Sequence, residues 1–104
     1  MRQHAARLRT LHDAIVARLR NSLLKDRFTV GFNPETLRWV IGFQSLSDAE
    51  FDVISGMPFR LGLNSVQWDV AENAEGGHKT ILVEGLTDTQ AREFVSAVAT
   101  RFKD

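Results

Sequence analysis

The sequence contains no cysteine and no tyrosine. The first absence removes disulfides, thiolate metal sites and a cysteine nucleophile. It fits a reducing setting, so a cytoplasmic location is expected. The second removes a common general acid and a stacking platform. No run of roughly 18 apolar residues exists, so no membrane-spanning helix is expected. The N-terminal stretch does not read as a secretory signal either, because Arg7, Arg9, Asp13, Arg18 and Arg20 interrupt any apolar segment. The formal net charge is zero, which counts against avid nucleic-acid binding through bulk charge.

Catalytic and metal-binding patterns are also lacking. His4 and His12 lie two turns apart on a predicted helix, about 12 Å by helical rise, too far to share one metal. His78 follows two glycines at a strand start and has no converging partner. Asp48, Glu50 and Asp52 crowd one helix start but lack the glycine and the later glutamate of a calcium loop. Interaction with the helix dipole accounts for them better. Gly76-Gly77-His78-Lys79-Thr80 evokes a phosphate loop. However, its lysine does not directly follow glycine, and a strand rather than a helix comes next. None of the serines sits in a nucleophile elbow. No cofactor, metal or enzymatic activity is therefore expected.

What is present is ordinary globular material. Of 104 residues, 43% are hydrophobic and 25% charged, with seven Phe and two Trp, enough for one core in one domain. The charge is unevenly placed. Residues 1–27 hold seven cations (Arg2, Arg7, Arg9, Arg18, Arg20, Lys25, Arg27) against Asp13 and Asp26, a balance of +5, so the remainder carries −5.

Periodicity supplies the elements. Leu8, Leu11, Ile15, Leu19 and Leu23 form one stripe of a helix expected over Gln3–Lys25. Arg7, Arg18 and Lys25 edge it on one side, and Arg2, Arg9, Arg20 and Arg27 on the other. An alternating run then spans Phe28 to Gln44 around the turn Asn33-Pro34-Glu35-Thr36. Phe28, Val30 and Phe32 face the core from one strand, and Leu37, Trp39, Ile41 and Phe43 from the other. Gly31 and Gly42 lie on the lighter, exposed face. Ser47-Asp48-Ala49-Glu50 is a capping box opening a short helix, Asp48 to Ile54, which Ser55-Gly56 and Pro58 should stop. Phe59–Leu63 fits either a helical turn or a short strand. Ser65–Glu72 reads as a strand with Trp68 inward. Gly76-Gly77 makes a turn, and His78–Glu84 is the last strand. Thr87-Asp88-Thr89-Gln90 is a second capping box. It starts a helix over Asp88–Phe102 with Ala91, Phe94, Val95, Val98 and Phe102 buried. No linker, repeat or low-complexity segment stands out.

The expected fold is α+β in the order α-β-β-α-β-β-α: an N-terminal amphipathic helix (1–26) before a β-β-α-β-β-α body (27–104). The sheet is four-stranded and mainly antiparallel, with helices on one face. The expected function is a small non-enzymatic protein-interaction module or assembly subunit, most simply a homodimer, working through the basic-edged first helix. Arg2, Arg7, Arg9, Arg18, Arg20 and Arg27 are the candidate contacts. A nucleic-acid-binding regulator using the same arginines is the alternative. A small-ligand binder or enzyme with a pocket between sheet and helices is the second.

Overall fold

The computed structural model describes the backbone of residues 2–63, 67–72 and 78–104 and the side chains of 5–63, 70 and 78–104. The chain is a mixed α+β fold. Its elements run α1 (Arg2–Arg20), β1 (Phe28–Asn33), β2 (Arg38–Leu46), α2 (Asp48–Arg60), β3 (Gln67–Glu72), β4 (Lys79–Leu86) and α3 (Asp88–Arg101). The strands form one antiparallel sheet in the order β1-β2-β4-β3.

The β1–β2 pairing sets Phe28, Val30 and Phe32 opposite Phe43, Ile41 and Trp39. Directly paired residues share a sheet face, so six apolar side chains collect on one side. Ile81 and Val83 of β4 continue that face through their pairing with Phe43 and Ile41. Beneath the helices, Trp39, Ile41, Phe43, Ile81 and Val83 are all buried. The opposite face is light, with Thr29, Gly31 and Thr80 exposed. In the hairpin turn, Asn33 Oδ1 accepts from the Glu35 amide at 2.9 Å, and the Leu37 amide closes onto the Asn33 carbonyl at 2.8 Å. Leu37 does not join the inward set. It takes φ +58° in the turn and is exposed, because closing this loop requires a left-handed residue.

The first helix stops before the expected Lys25. Ser22 explains it: its Oγ donates to the Leu19 carbonyl at 2.7 Å and accepts from the Leu24 amide at 3.1 Å. The Leu23 amide then turns to the Phe102 carbonyl at 2.8 Å. Leu24 is therefore buried and Leu23 exposed, the reverse of the helical extrapolation. Leu11, Ile15 and Leu19 enter the core as the stripe predicts.

The second helix runs past its expected stop. Gly56 lies within it, and Pro58 occupies the last turn, forfeiting one hydrogen bond there rather than in mid-helix. The real terminator is Gly62 at φ +72°. The Leu63 amide reaches the Pro58 carbonyl at 2.8 Å and the Gly62 amide the Phe59 carbonyl at 3.1 Å, the paired bonds of a Schellman motif. Phe59–Leu63 is thus helix end and cap. Both capping boxes form as expected, at Ser47 and Thr87. All five stripe residues of the last helix are buried. Gly76-Gly77 and the side chain of Trp68 lie outside the described residues.

The two consecutive ββα units expected from the sequence are related as a structural repeat. β1-β2-α2 recurs in order as β3-β4-α3, and the N-caps Ser47 and Thr87 set the offset at 40 residues. The central β2–β4 register obeys the same offset. Trp39↔Leu86 maps onto Leu46↔Lys79, and Ile41↔Val83 onto Phe43↔Ile81. A pseudo-two-fold axis therefore passes between β2 and β4. The two strand-to-helix joints match in detail: a left-handed residue (Ser45 at φ 55°, Gly85 at φ 78°) in a bulge, a fully buried leucine (Leu46, Leu86), then the N-cap. α1 stands outside the repeat.

Candidate interaction site

The six arginines singled out above have different surroundings. Arg7 pairs with Asp88 at 3.2 Å, at the start of α3. The other oxygen of Asp88 accepts from Trp39 Nε1 at 2.8 Å, so this carboxylate joins α1, β2 and α3. Its counterpart across the pseudo-axis is Asp48, which lies 3.5 Å from Lys79. Trp39 and Lys79 are themselves related by the 40-residue offset.

Arg27 is a tie inside the fold. It holds Glu50 with two hydrogen bonds of 2.9 and 2.8 Å and donates to the Ser45 and Leu23 carbonyls at 3.1 and 3.2 Å. The bidentate guanidinium holds the Glu50 carboxyl down to about 2; partial burial opposes this, and the Ser47 amide adds to it. Glu50 in turn raises Arg27, mainly through the same hydrogen bonds. Arg18 reaches Ser96 Oγ at 3.5 Å and lies between α1 and α3. Arg9 and Arg20 are exposed and form no ion pair with the described residues. The side chain of Arg2 lies outside the described set.

A surface that no single segment announces lies where α2 and α3 meet. The groove there has a volume of about 720 Å³. Met57, Leu61 and Ala97 make its apolar lining, with Arg60, Arg101 and Glu93 as its charged lining. Three pairs of lining residues (Met57 and Ala97, Arg60 and Thr100, Leu61 and Arg101) are related by the 40-residue offset, which centres the groove on the pseudo-axis. Arg60 is held at the rim by its own helix, donating to the Gly56 and Val53 carbonyls at 3.3 and 3.2 Å. These bonds leave its charge uncompensated, and neither Arg60 nor Arg101 pairs with a described carboxylate. A second groove, between α1 and α3, is lined by Leu11, Ala14, Ile15, Arg18, Arg92 and Val95 among others. The helical face therefore combines shallow apolar troughs with five cations: Arg18, Arg60, Arg92, Arg101 and, in an adjoining hollow, Lys103.

Sequence reasoning placed the cations on the first helix and missed Arg60, Arg92 and Arg101. The missed residues come from the second and third helices and meet only through the fold. The available signal was the basic, small-residue outer face of the last helix, Arg92, Ser96, Thr100 and Arg101. Among the described residues, no three histidine or acidic side chains converge as a metal site would require, and every buried side-chain polar atom has a partner. No family model, curated protein or solved structure matches this chain.

Proposed function

We propose that this protein is a small non-enzymatic protein-interaction module that binds an acidic amphipathic segment of its partner on the helical face. The observation that supports this reading is the groove between α2 and α3, with Met57, Leu61 and Ala97 between the arginines at positions 60 and 101. An amphipathic helix presents anchors at i, i+3, i+4 and i+7 to such a groove. Carboxylates flanking those anchors meet Arg60 and Arg101, which steer encounter and fix register. The basic edge of the first helix, through Arg18, extends the same field. Self-association as a subunit of an assembly and a cytoplasmic location belong to this reading.

Titration of the full chain with a fluorescent acidic amphipathic peptide tests it. Binding is expected to weaken at least tenfold in Arg60→Glu/Arg101→Glu. Absence of binding at low salt, or affinity indifferent to the double reversal, would refute it. The cluster of cations favours one second reading, nucleic-acid binding. A single-stranded oligonucleotide that binds more tightly than the peptide, with a steep salt slope, would establish that reading instead.

A further inference from the structure

The pseudo-two-fold axis relates two ββα halves but leaves α1 without a counterpart. α1 sits over β1 and against α3. It covers Val95 and reaches Arg92 and Ser96 on the flank of α3, where Ala99 is only 9% exposed. The offset of 40 maps those four positions onto Asp52, Ser55, Gly56 and Phe59 of α2. Burial is lost at two of them: Val95 and Ala99 are buried, whereas Ser55 is half-buried and Phe59 is 85% exposed; Arg92 and Asp52 are exposed alike. The strand beneath behaves alike. Val30 of β1 packs partly buried against the core, whereas its counterpart Val70 on β3 is 47% exposed. Phe59 and Val70 are two of the four large hydrophobic residues exposed among those described. Both fall in a seat that, among the described residues, the symmetry leaves unfilled.

We infer that this seat, over β3 and beside α2, docks a basic amphipathic helix of a partner protein in the manner α1 docks on the other half. The filled seat defines the occupant. α1 buries Leu11, Ile15 and Leu19, packs Leu8 partly buried beside them, and fixes its start with Arg7 on Asp88. The counterpart of Asp88 is Asp48, whose side chain is 81% exposed beside Lys79. The charge on the flank of α2 strengthens the preference. Where α3 carries Arg92, close to the cationic edge of α1, α2 carries Asp52. A helix edged with arginine therefore meets an acid where α1 meets a like charge. Arg7 lies by the first turn of α3 and Arg18 two turns further along it, so α1 runs parallel to α3. The incoming helix runs parallel to α2, with its basic N-terminal turn at Asp48.

The probe is a synthetic peptide of residues 2–24, the known occupant of the equivalent seat, titrated into the isotope-labelled full chain and followed by amide shifts. Saturable binding is expected, with Kd of order 10⁻⁵–10⁻⁴ M. The shifts should centre on Asp52, Phe59 and Val70, and the affinity should fall at least tenfold in Phe59→Asp. Asp52→Lys tests the charge separately and should also weaken binding. Both substitutions are at exposed positions, so unchanged melting of the free variants certifies the comparison. Shifts confined to Arg92, Ser96 and Ala99 would mean that the peptide replaces α1 in its own seat, and would overturn the inference. So would a full affinity in Phe59→Asp, or no binding at low salt. Arg101→Glu, at a groove residue that bonds none of the seat's positions, should bind this peptide normally, which separates this seat from the groove between α2 and α3.

Discussion

The Arg27–Glu50 pair should make the stability of this protein acid-sensitive through one identifiable carboxylate. Arg27 lies just before β1, and Glu50 is the third residue of α2. Their bidentate contact, with the bond from Arg27 to the Ser45 carbonyl, ties the start of the first hairpin to the bulge that leads into α2. Both side chains are mostly sequestered, at 28% and 22% exposure. A carboxyl lowered from 4.5 to about 2 corresponds to about 3 kcal/mol at 1.36 kcal/mol per unit. Screening at a partly open site reduces this to about 2 kcal/mol. Because the folded-state value is depressed, the stabilisation is complete above the unfolded-state value near 4.5 and is lost as pH falls toward 2. Glu50→Gln isolates the effect, since glutamine still caps; Gln90 does so at the equivalent position of α3. Urea denaturation of wild type, Glu50→Gln, Arg27→Met and the double variant at pH 7 should give a coupling of about 1–2 kcal/mol. The wild-type advantage over Glu50→Gln should shrink steadily between pH 5 and pH 2.5. A coupling below about 0.5 kcal/mol, the range of ordinary surface pairs, or an advantage indifferent to pH, would refute the reasoning.

Two further outcomes follow from the packing. Ile15 is 2% exposed on α1, so Ile15→Ala should cost about 2–5 kcal/mol in chemical denaturation; a change under about 1 kcal/mol would mean that α1 is a detachable arm. Leu37 holds φ +58° while half exposed, so Leu37→Gly should raise stability by about 0.5–1 kcal/mol by relieving left-handed strain, and a lower melting temperature would show that its side chain is needed at the turn.

Local chemistry was readable and assembly was not. The two capping boxes, the Asn33 turn and the apolar stripe of α3 depend on residues within one or two turns of each other, and each formed where the pattern put it. The ends of α1 and α2 depended on more distant partners. Ser22 breaks the first helix by bonding its own backbone, while the following amide pairs with Phe102 at the far end of the chain. Pro58 looked like a stop, but Gly62 carries the left-handed cap, and docking of Ile54 and Met57 in the core holds the helix across Gly56. The repeat of ββα units is legible in the order of elements but faint in the residues: the joints Gln44–Glu50 and Glu84–Gln90 share only Leu and Asp, and the other identities, such as Val30 and Val70 or Ile41 and Ile81, are scattered. At some paired positions burial is kept while the residue changes, as with Ile54 and Phe94; at Val30 and Val70 the residue is kept while burial differs. The groove was illegible for a related reason: it is built from residues some 40 positions apart.

The symmetric sheet has a consequence for how the chain is held together. Its central seam, β2 against β4, joins one repeat to the other. Each ββα half is therefore one subunit of a two-fold pair whose members happen to share a chain. The connection after Leu63 sets the effective concentration at which the halves meet. Severed there and mixed, the two fragments should reassociate through the seam. The second half alone would present the bare edge of β4 and pair with another copy of itself, restoring in a homodimer the axis that the intact chain only approximates.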